Sequence, residues 1–439
     1  MKKPVFILLL LIFIIQAQRP CYAQGSWERI EVPTLHDLNS IFFVDSITGW
    51  AVGDSGTILH TSNGGVEWRV QQSHTANDIV YVFFLNDQVG WASSINFSIL
   101  PYGTLLLKTT NGGEDWTSEV YPTENIFISC ILFLDSLNGW MGGIPHALVH
   151  TTDGGNQWHQ ADIDTSTLAF FPVLSIQFYN EQYGYASGGI FDIAGVTWHT
   201  SNGGEKWYAI ESNEAPADEV HALHLFDSTH VMGVGGDPDF GYGVGLLRTF
   251  NGGSHWEYEE IGIQGNAWDV DFVNSNEVWA PLGNRRKFIY STDTGSTWTQ
   301  ISTPDETAIY DVTFPDSLHG YAAGDEGAML RFKPVTPVGF EITEDLSKGF
   351  VLYQNYPNPF KSHTMVAFHI PIEQPDNALV QIKIYTIEGN EVALLMQENC
   401  SSGKHHMDID TTGWPGGIYY YRLTVGNTFV GTRRMVLMP

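Results

Sequence analysis

The chain has 439 residues, with 49 acidic against 20 basic side chains and a formal net charge of −29. So acidic a surface repels nucleic acid and anionic lipid, which excludes the nucleic-acid-binding classes. With 13% aromatic residues, 45 glycines and only three cysteines, it reads as a β-rich, turn-rich chain of two or three domains, neither disordered nor built on disulfides.

Residues 1–23 read as a secretory signal peptide. Lys2 and Lys3 precede an apolar run from Val5 to Ile15, and Cys21 and Ala23 occupy the two positions a signal peptidase inspects. The run is short for a bilayer span, and no later segment is apolar enough, so no membrane span is expected. A lipoprotein reading through Cys21 is opposed by Arg19-Pro20 directly in front of it. Cleavage after Ala23 would leave 17 basic against 49 acidic residues, a formal charge of −32. Cys130 and Cys400 then remain, in different domains, and are expected as buried free thiols.

Residues 24–333 repeat one short segment six times. It reads Thr61-Ser-Asn-Gly-Gly-Val-Glu-Trp68, and recurs ending at Trp116, Trp158, Trp207, Trp256 and Trp298, at spacings of 48, 42, 49, 49 and 42 residues. A period of this size with short strands and turn signals predicts a β-propeller. In the first repeat, Ile41–Val44, Trp50–Gly53, Thr57–Thr61 and Glu67–Val70 read as four antiparallel strands, one blade. Seven first strands can be counted, the last being Val312–Pro315. The seventh repeat stops after Ala328–Arg331 without its Trp segment, whereas Ser26-Trp27-Glu-Arg-Ile30 matches the missing outer strand. The N-terminal strand is therefore expected to complete blade seven and remove two open edges. The Trp segments read as structural: Asn or Asp accepts hydrogen bonds from turn amides, the glycines take unusual backbone conformations, and Trp packs between blades.

These segments resemble the Asp-box of sialidase-type propellers, which Ser291 to Trp298 matches in full. The longer unit from Gly49 to Trp68 is more similar to propellers of the photosystem II assembly/stability factor type. The resemblance implies the fold and leaves the function open.

After a linker at 334–350, residues 351–439 read as a small β-sandwich of alternating strands. Leu352 to Phe360, with Asn355, Pro357 and Pro359, opens it. Gly389, then Gly416-Gly417-Ile-Tyr419, and a last strand through Arg434–Leu437 complete the order. This order resembles the type A C-terminal sorting domain of the type IX secretion system of Bacteroidota. The resemblance implies the type IX secretion machinery as a partner. It also implies an exported, secreted or surface-held protein.

Chemistry is sparse in the sequence. A sialidase needs arginines converging from separate blades, but Arg285 and Arg286 share one loop, so that activity is rejected. Asp-box glucanases use two carboxylates across a cleft. Asp218, Glu219, Asp269 and Asp311, at the starts of first strands, are the candidate funnel acids, and a glycoside hydrolase is the alternative reading. His221 and His224, three apart on one strand, are expected on opposite faces and not as a metal pair. Asp-Ser turns at Asp45, Asp135, Asp227 and Asp316 resemble an O-glycosylation sequence, although the turn alone accounts for them. No catalytic residue, metal or cofactor is assigned. The main expectation is an all-β, seven-bladed, monomeric, non-enzymatic propeller that binds an extracellular glycan or protein. Its ligand face would be built from variable loops carrying Phe97, Tyr102, Phe170, Phe171, Phe191, Phe240 and Tyr242 beside Asp269 and Asp311.

Overall fold

A computed structural model describes residues 25–164, 167–236, 243–274, 276–334, 350–355, 358–371, 378–387, 389–401, 403–426 and 428–438. The expected signal segment, residues 1–23, and Phe240, Tyr242 and Pro357 lie outside them. The chain divides into two compact units, Met1–Pro334 and Val335–Pro439.

Seven sheets form the first unit, antiparallel except for one short strand, Asp162–Ile163, added parallel to the fourth. Blade 1 comprises Leu38–Phe43, Gly49–Gly53, Thr57–Thr61 and Arg69–Gln72. Blades 2 to 6 begin at Ile79–Phe84, Phe127–Phe133, Val173–Phe178, Val220–Leu225 and Asp271–Phe272. Blade 7 comprises Ile309–Asp316, His319–Gly324 and Ala328–Lys333, and its outer strand is Ser26–Ile30. The register is antiparallel, with Trp27 opposite Phe332 and Ile30 opposite Met329. The ring thus closes through the N-terminal strand, as its sequence anticipates. First strands of neighbouring blades touch one another and surround the axis.

The blades are joined by a repeated aromatic device. Trp50 of blade 1 stacks on Phe84 of blade 2, at an interplanar angle of 8°, and Trp116 meets that phenyl edge-on at 90°. Trp91, Phe133 and Trp158 repeat it, as do Phe43 and Trp68 with Tyr321 of blade 7. Such pairs add about 0.5–1.5 kcal/mol each beyond their buried area. A glycine before Trp50, Trp91, Trp140, Tyr185 and Tyr321 makes room: a Cβ on Gly90 would lie 2.5 Å from the Phe84 ring.

Each Trp segment turns in the same way. In blade 6, Ser291 Oγ donates to Asp293 Oδ1 (2.8 Å) and accepts from the Gly295 N–H (2.9 Å). Asp293 Oδ1 also accepts from the Thr297 N–H (2.8 Å). The same three bonds hold the turns at Thr61, Thr109, Thr151, Thr200 and Thr249. Trp207, Trp256, Trp116 and Trp68 are buried, while Trp158 and Trp298 are half-buried.

The second unit packs one sheet of Val351–Leu352, His363–Ile370 and Gly403–Asp410. The other holds Glu391–Cys400, Ala378–Thr386, Gly417–Val425 and Thr428–Leu437. Val366, Phe368, Ile382, Ile384, Tyr421, Leu423 and Met435 are among its core residues. Asn355 is buried and donates from Nδ2 to Thr364 Oγ1 (2.9 Å). Asn358 Oδ1 accepts from the Val436 N–H (2.8 Å), and the Phe360 N–H donates to the Val436 carbonyl (3.0 Å). The opening segment, which includes Pro359, therefore clamps the final strand. Gly389 has φ +86° in a turn, Gly417 faces Leu437 across the sheet, and the Tyr419 hydroxyl donates to the Pro415 carbonyl. Cys130 and Cys400 are buried free thiols, and burial pushes the Cys130 thiol up to about 12.

Candidate functional site: the loop face and the channel

The Trp turns and the first-to-second strand turns share one face of the ring, bonded for example by the Gly64 N–H to the Ile47 carbonyl (2.9 Å). The opposite face carries the second-to-third strand loops, and these do not repeat. Blades 1 and 7 have tight turns at Asp54–Gly56 and Asp325–Gly327. Blade 2 instead extends from Asn96 to Gly103.

That loop is ordered by one buried side chain. Asn96 Nδ2 donates to the Ile99 and Pro101 carbonyls (2.7 and 3.1 Å), and Oδ1 accepts from the Ser98 and Ile99 N–H groups. So held, the loop presents Phe97, Ile99, Leu100 and Tyr102 outward, Phe97 with 68% of its surface exposed. The apolar strip continues across the next blades. Phe97 touches Phe127 (5.4 Å between ring centres), which faces exposed Ile144 across the strand pair. His146 of the same blade meets exposed Phe170 (5.8 Å). Ile190 and Ile193 add exposed aliphatic surface on blade 4, whereas Phe171 packs inward. The aliphatic members were missed in the sequence, where attention went to aromatics; Ile99-Leu100 and Ile144-Pro145 were the available signal.

A second cluster spans blades 4 to 7. Half-buried Phe191 lies 5.7 Å from His221, His221 4.7 Å from Trp268, and Trp268 5.4 Å from Tyr310. The Tyr310 hydroxyl donates to Asn284 Oδ1 (2.7 Å). His221 Nε2 lies 3.2 Å from Glu219 Oε2 and 2.9 Å from Asn266 Nδ2. The two histidines correct a sequence expectation. A bulge between Val220 and Ala222 resets the strand alternation, so both rings turn toward blade 6, His221 to Trp268 and His224 to Phe272 (4.0 Å). No group of three or more His, Cys, Asp or Glu side chains placed to hold a metal ion occurs among the described residues. Burial pushes His224 down to about 4, so it is neutral near pH 7.

The channel acids tie blades together. Asp269 of blade 6 accepts the Val312 N–H of blade 7 (2.9 Å), Asp271 accepts the Phe314 N–H (2.6 Å), and Asp311 of blade 7 accepts the Ile41 N–H of blade 1 (2.8 Å). All three residues are half-buried. Asp269 and Asp311 are close enough to influence each other's charge. Burial raises both carboxyls, Asp311 well above the usual range because the Asp269 charge adds to it. Burial pushes Asp271 up to about 7. All three carboxylates are engaged by backbone N–H groups of the next blade, which accounts for them structurally. Glu219 is engaged by His221, and Asp218 lies in the segment packed on Gly195. Arg286 lies within electrostatic range of Asp325.

Comparison with known proteins bears on both units. The family model described as photosynthesis system II assembly factor YCF48 matches residues 19–124 and 118–232, and the secretion system C-terminal sorting domain model matches 354–438. A photosystem II assembly protein Ycf48 of Synechococcus sp. (strain JA-2-3B'a(2-13)) is 24% identical over 76% of this chain and 97% of its own length. The photosystem II stability/assembly factor HCF136 of Arabidopsis thaliana is 23% identical over 70% and 79%. Among solved structures, YCF48 bound to D1 peptide superposes with a TM-score of 0.57 at 21% identity, covering 72% of this chain and 99% of that one. An ancestral GH74 enzyme superposes at 0.53 with 13% identity, covering 94% and 64%, which shows the fold alone.

Proposed function

We propose, for a chain that joins a photosystem II assembly factor-type propeller to a secretion-system C-terminal sorting domain, that it is an exported binding protein without catalytic activity. Its loop face would capture an extended segment of a partner protein. The observation that carries this reading is the exposed strip on blades 2 to 4, Phe97, Ile99, Leu100, Ile144 and Phe170, held out by a buried asparagine. Contiguous exposed apolar surface marks an interaction site. Glycans stack on aromatic faces, and a strip this rich in aliphatic side chains suits peptide better. A structural relative seen with a bound peptide supports the same reading. Export would run through the type IX machinery, which reads the C-terminal unit.

Two measurements test the two halves. The purified full chain is applied to parallel peptide and glycan arrays. Apolar extended peptides should be retained, and Phe97→Asp with Phe170→Asp should abolish retention. Retention of glycans only, or binding indifferent to the double substitution, would refute peptide capture. A chain ending at Lys333 should accumulate in the periplasm, and its secretion at normal levels would refute export through the tail.

A further inference from the structure

The blades meet along their outer strands in unequal ways. Between blades 3 and 4 the chain leaves blade 3 after Ala161 and lays Asp162–Ile163 parallel to the outer strand of blade 4, opposite Lys206 and Trp207. Ile163 packs against the core holding Trp207, the Asp164 N–H donates to the Trp207 carbonyl (2.9 Å), and Trp207 is fully buried. Other junctions are closed by side chains. Gln71 reaches the Gly112 carbonyl and Trp116 Nε1 of blade 2. The Glu214 carboxylate takes the Trp256 N–H of blade 5, and Arg248 reaches the Gly295 carbonyl of blade 6.

Between blades 2 and 3 the side-chain tie is Lys108 Nζ to the Gly154 carbonyl (2.8 Å), and the outer-strand seam beside it is left open. Counted from the preceding box tryptophan, Pro122 stands where Asp164 stands, as Pro33 and Pro304 do at two other junctions. A proline has no N–H to give the neighbouring blade. The chain stays on blade 2 instead, with the Tyr121 N–H donating to the Thr104 carbonyl (2.9 Å). A cavity of about 240 Å³ remains, lined by Glu119, Tyr121 and Pro122 of blade 2 and by Gln157, Trp158 and His159 of blade 3. Trp158 is half-buried there, in contrast to Trp207 under its added strand. The volume lies below the roughly 300–1,000 Å³ of small-molecule sites and is nearer to side-chain size.

We propose that this junction is a seat for an extended peptide of a partner protein, added as a parallel strand beside Trp158. One apolar side chain would fill the cavity, and its neighbours would be neutral or basic. The molecule itself shows the mode, since its own segment occupies the equivalent place one junction further on. Strand addition draws affinity from main-chain bonds and specificity from the pocket for alternate side chains. The charge of the partner follows from Glu119 in the lining and from a formal net charge of −29. This seat lies on outer strands, so it is separate from the loop face.

The test uses the full chain and a fluorescein-labelled peptide spanning Gln160–Asp164 in which both aspartates are replaced by lysine. Fluorescence polarisation should show saturable binding. N-methylation of the residue after the isoleucine, which removes the donor matching the Asp164 N–H, should weaken it about tenfold. Glu119→Lys, at an exposed position, should weaken the lysine peptide several-fold and improve the aspartate version. Pro122→Asp should restore the donor to the chain and exclude the peptide without lowering the melting temperature. Phe97→Asp should leave this binding unchanged, so failure here is distinguishable from failure of loop-face capture. Absence of saturation, equal binding of the N-methylated peptide, or indifference to Glu119→Lys would each overturn the proposal.

Discussion

The two faces of the ring are built by opposite rules. On the turn face, six segments of similar sequence make the same three hydrogen bonds, and Trp68, Trp116, Trp158 and Trp207 each meet a phenylalanine ring edge-on. On the loop face, each blade has its own loop, and large apolar side chains stand in solvent. Repetition on one side fixes the scaffold, and variation on the other is tolerated because the scaffold does not depend on it. A substitution should therefore act on stability when it touches the turn face or the ring closure, and on binding when it touches the loops.

The largest expected effect is on closure. Removing Ser26–Ile30 deletes the outer strand of blade 7 and its five paired residues, together with the Glu28–Arg331 ion pair (2.8 Å). It exposes a strand edge and uncovers Phe332. The deleted protein should aggregate or lose cooperative melting. A monomeric gel-filtration profile with an unchanged midpoint would show that the ring stands without its latch. Next comes Trp207→Ala, on a fully buried ring. A loss of roughly 3–5 kcal/mol is expected. Trp158→Ala, on a half-buried ring, should lose clearly less. Equal losses at the two sites would mean that the turn face is more uniform than its burial indicates.

The fold was legible because its signal repeats. One Trp segment is weak, but six at nearly constant spacing set the strand order, and the orphan strand around Trp27 pointed to the closure. The site was less legible for a physical reason. Exposure of Phe97, Ile99 and Leu100 depends on the bonds that Asn96 makes to backbone groups of its own loop, which composition does not reveal. The His221 and His224 faces were misjudged because a one-residue bulge inverts an alternation rule, and nothing local in Val220-His-Ala-Leu-His224 announces it. Asp269 and Asp311 looked like free funnel acids, yet they bond backbone N–H groups of the next blade, a relation between residues over 40 apart.

The channel offers an intermediate effect. Asp271, pushed up to about 7 by burial, keeps in the folded state a proton that the unfolded chain loses near its ordinary value of 3.8. Its contribution therefore makes stability fall as pH rises from about 4 to about 7, and the penalty persists above that. Asp269 and Asp311 act in the same direction. His224, driven down to about 4 from 6.5, acts oppositely, because the folded state there binds fewer protons and loses stability as pH falls through that window. The difference between parent and variant isolates one group. Asp271→Asn keeps an acceptor for the Phe314 N–H and removes the charge. It should raise stability at pH 8 by on the order of 1–3 kcal/mol, less than full burial would imply because the residue is only half-buried, and change little at pH 4. Equal effects at both pH values would show that the carboxylate is well solvated.

The smallest stability effect belongs to the loop face, and there a null result sharpens the comparison. Phe97 and Phe170 expose 68% and 60% of their surface, so truncating them removes little buried area. Phe97→Ser with Phe170→Ser should leave stability within about 0.5 kcal/mol of the parent, the usual range for surface substitutions. The Asn96 bonds that shape the blade 2 loop involve neither side chain and should survive. Hydrogen exchange at Ser98 and Ile99, whose N–H groups Asn96 holds, checks that the loop keeps its form. A midpoint several degrees lower, or loss of that protection, would mean that these rings pack the loop and that the two faces are less distinct than their exposure implies. An unchanged midpoint with unchanged protection would leave binding as the property these residues serve.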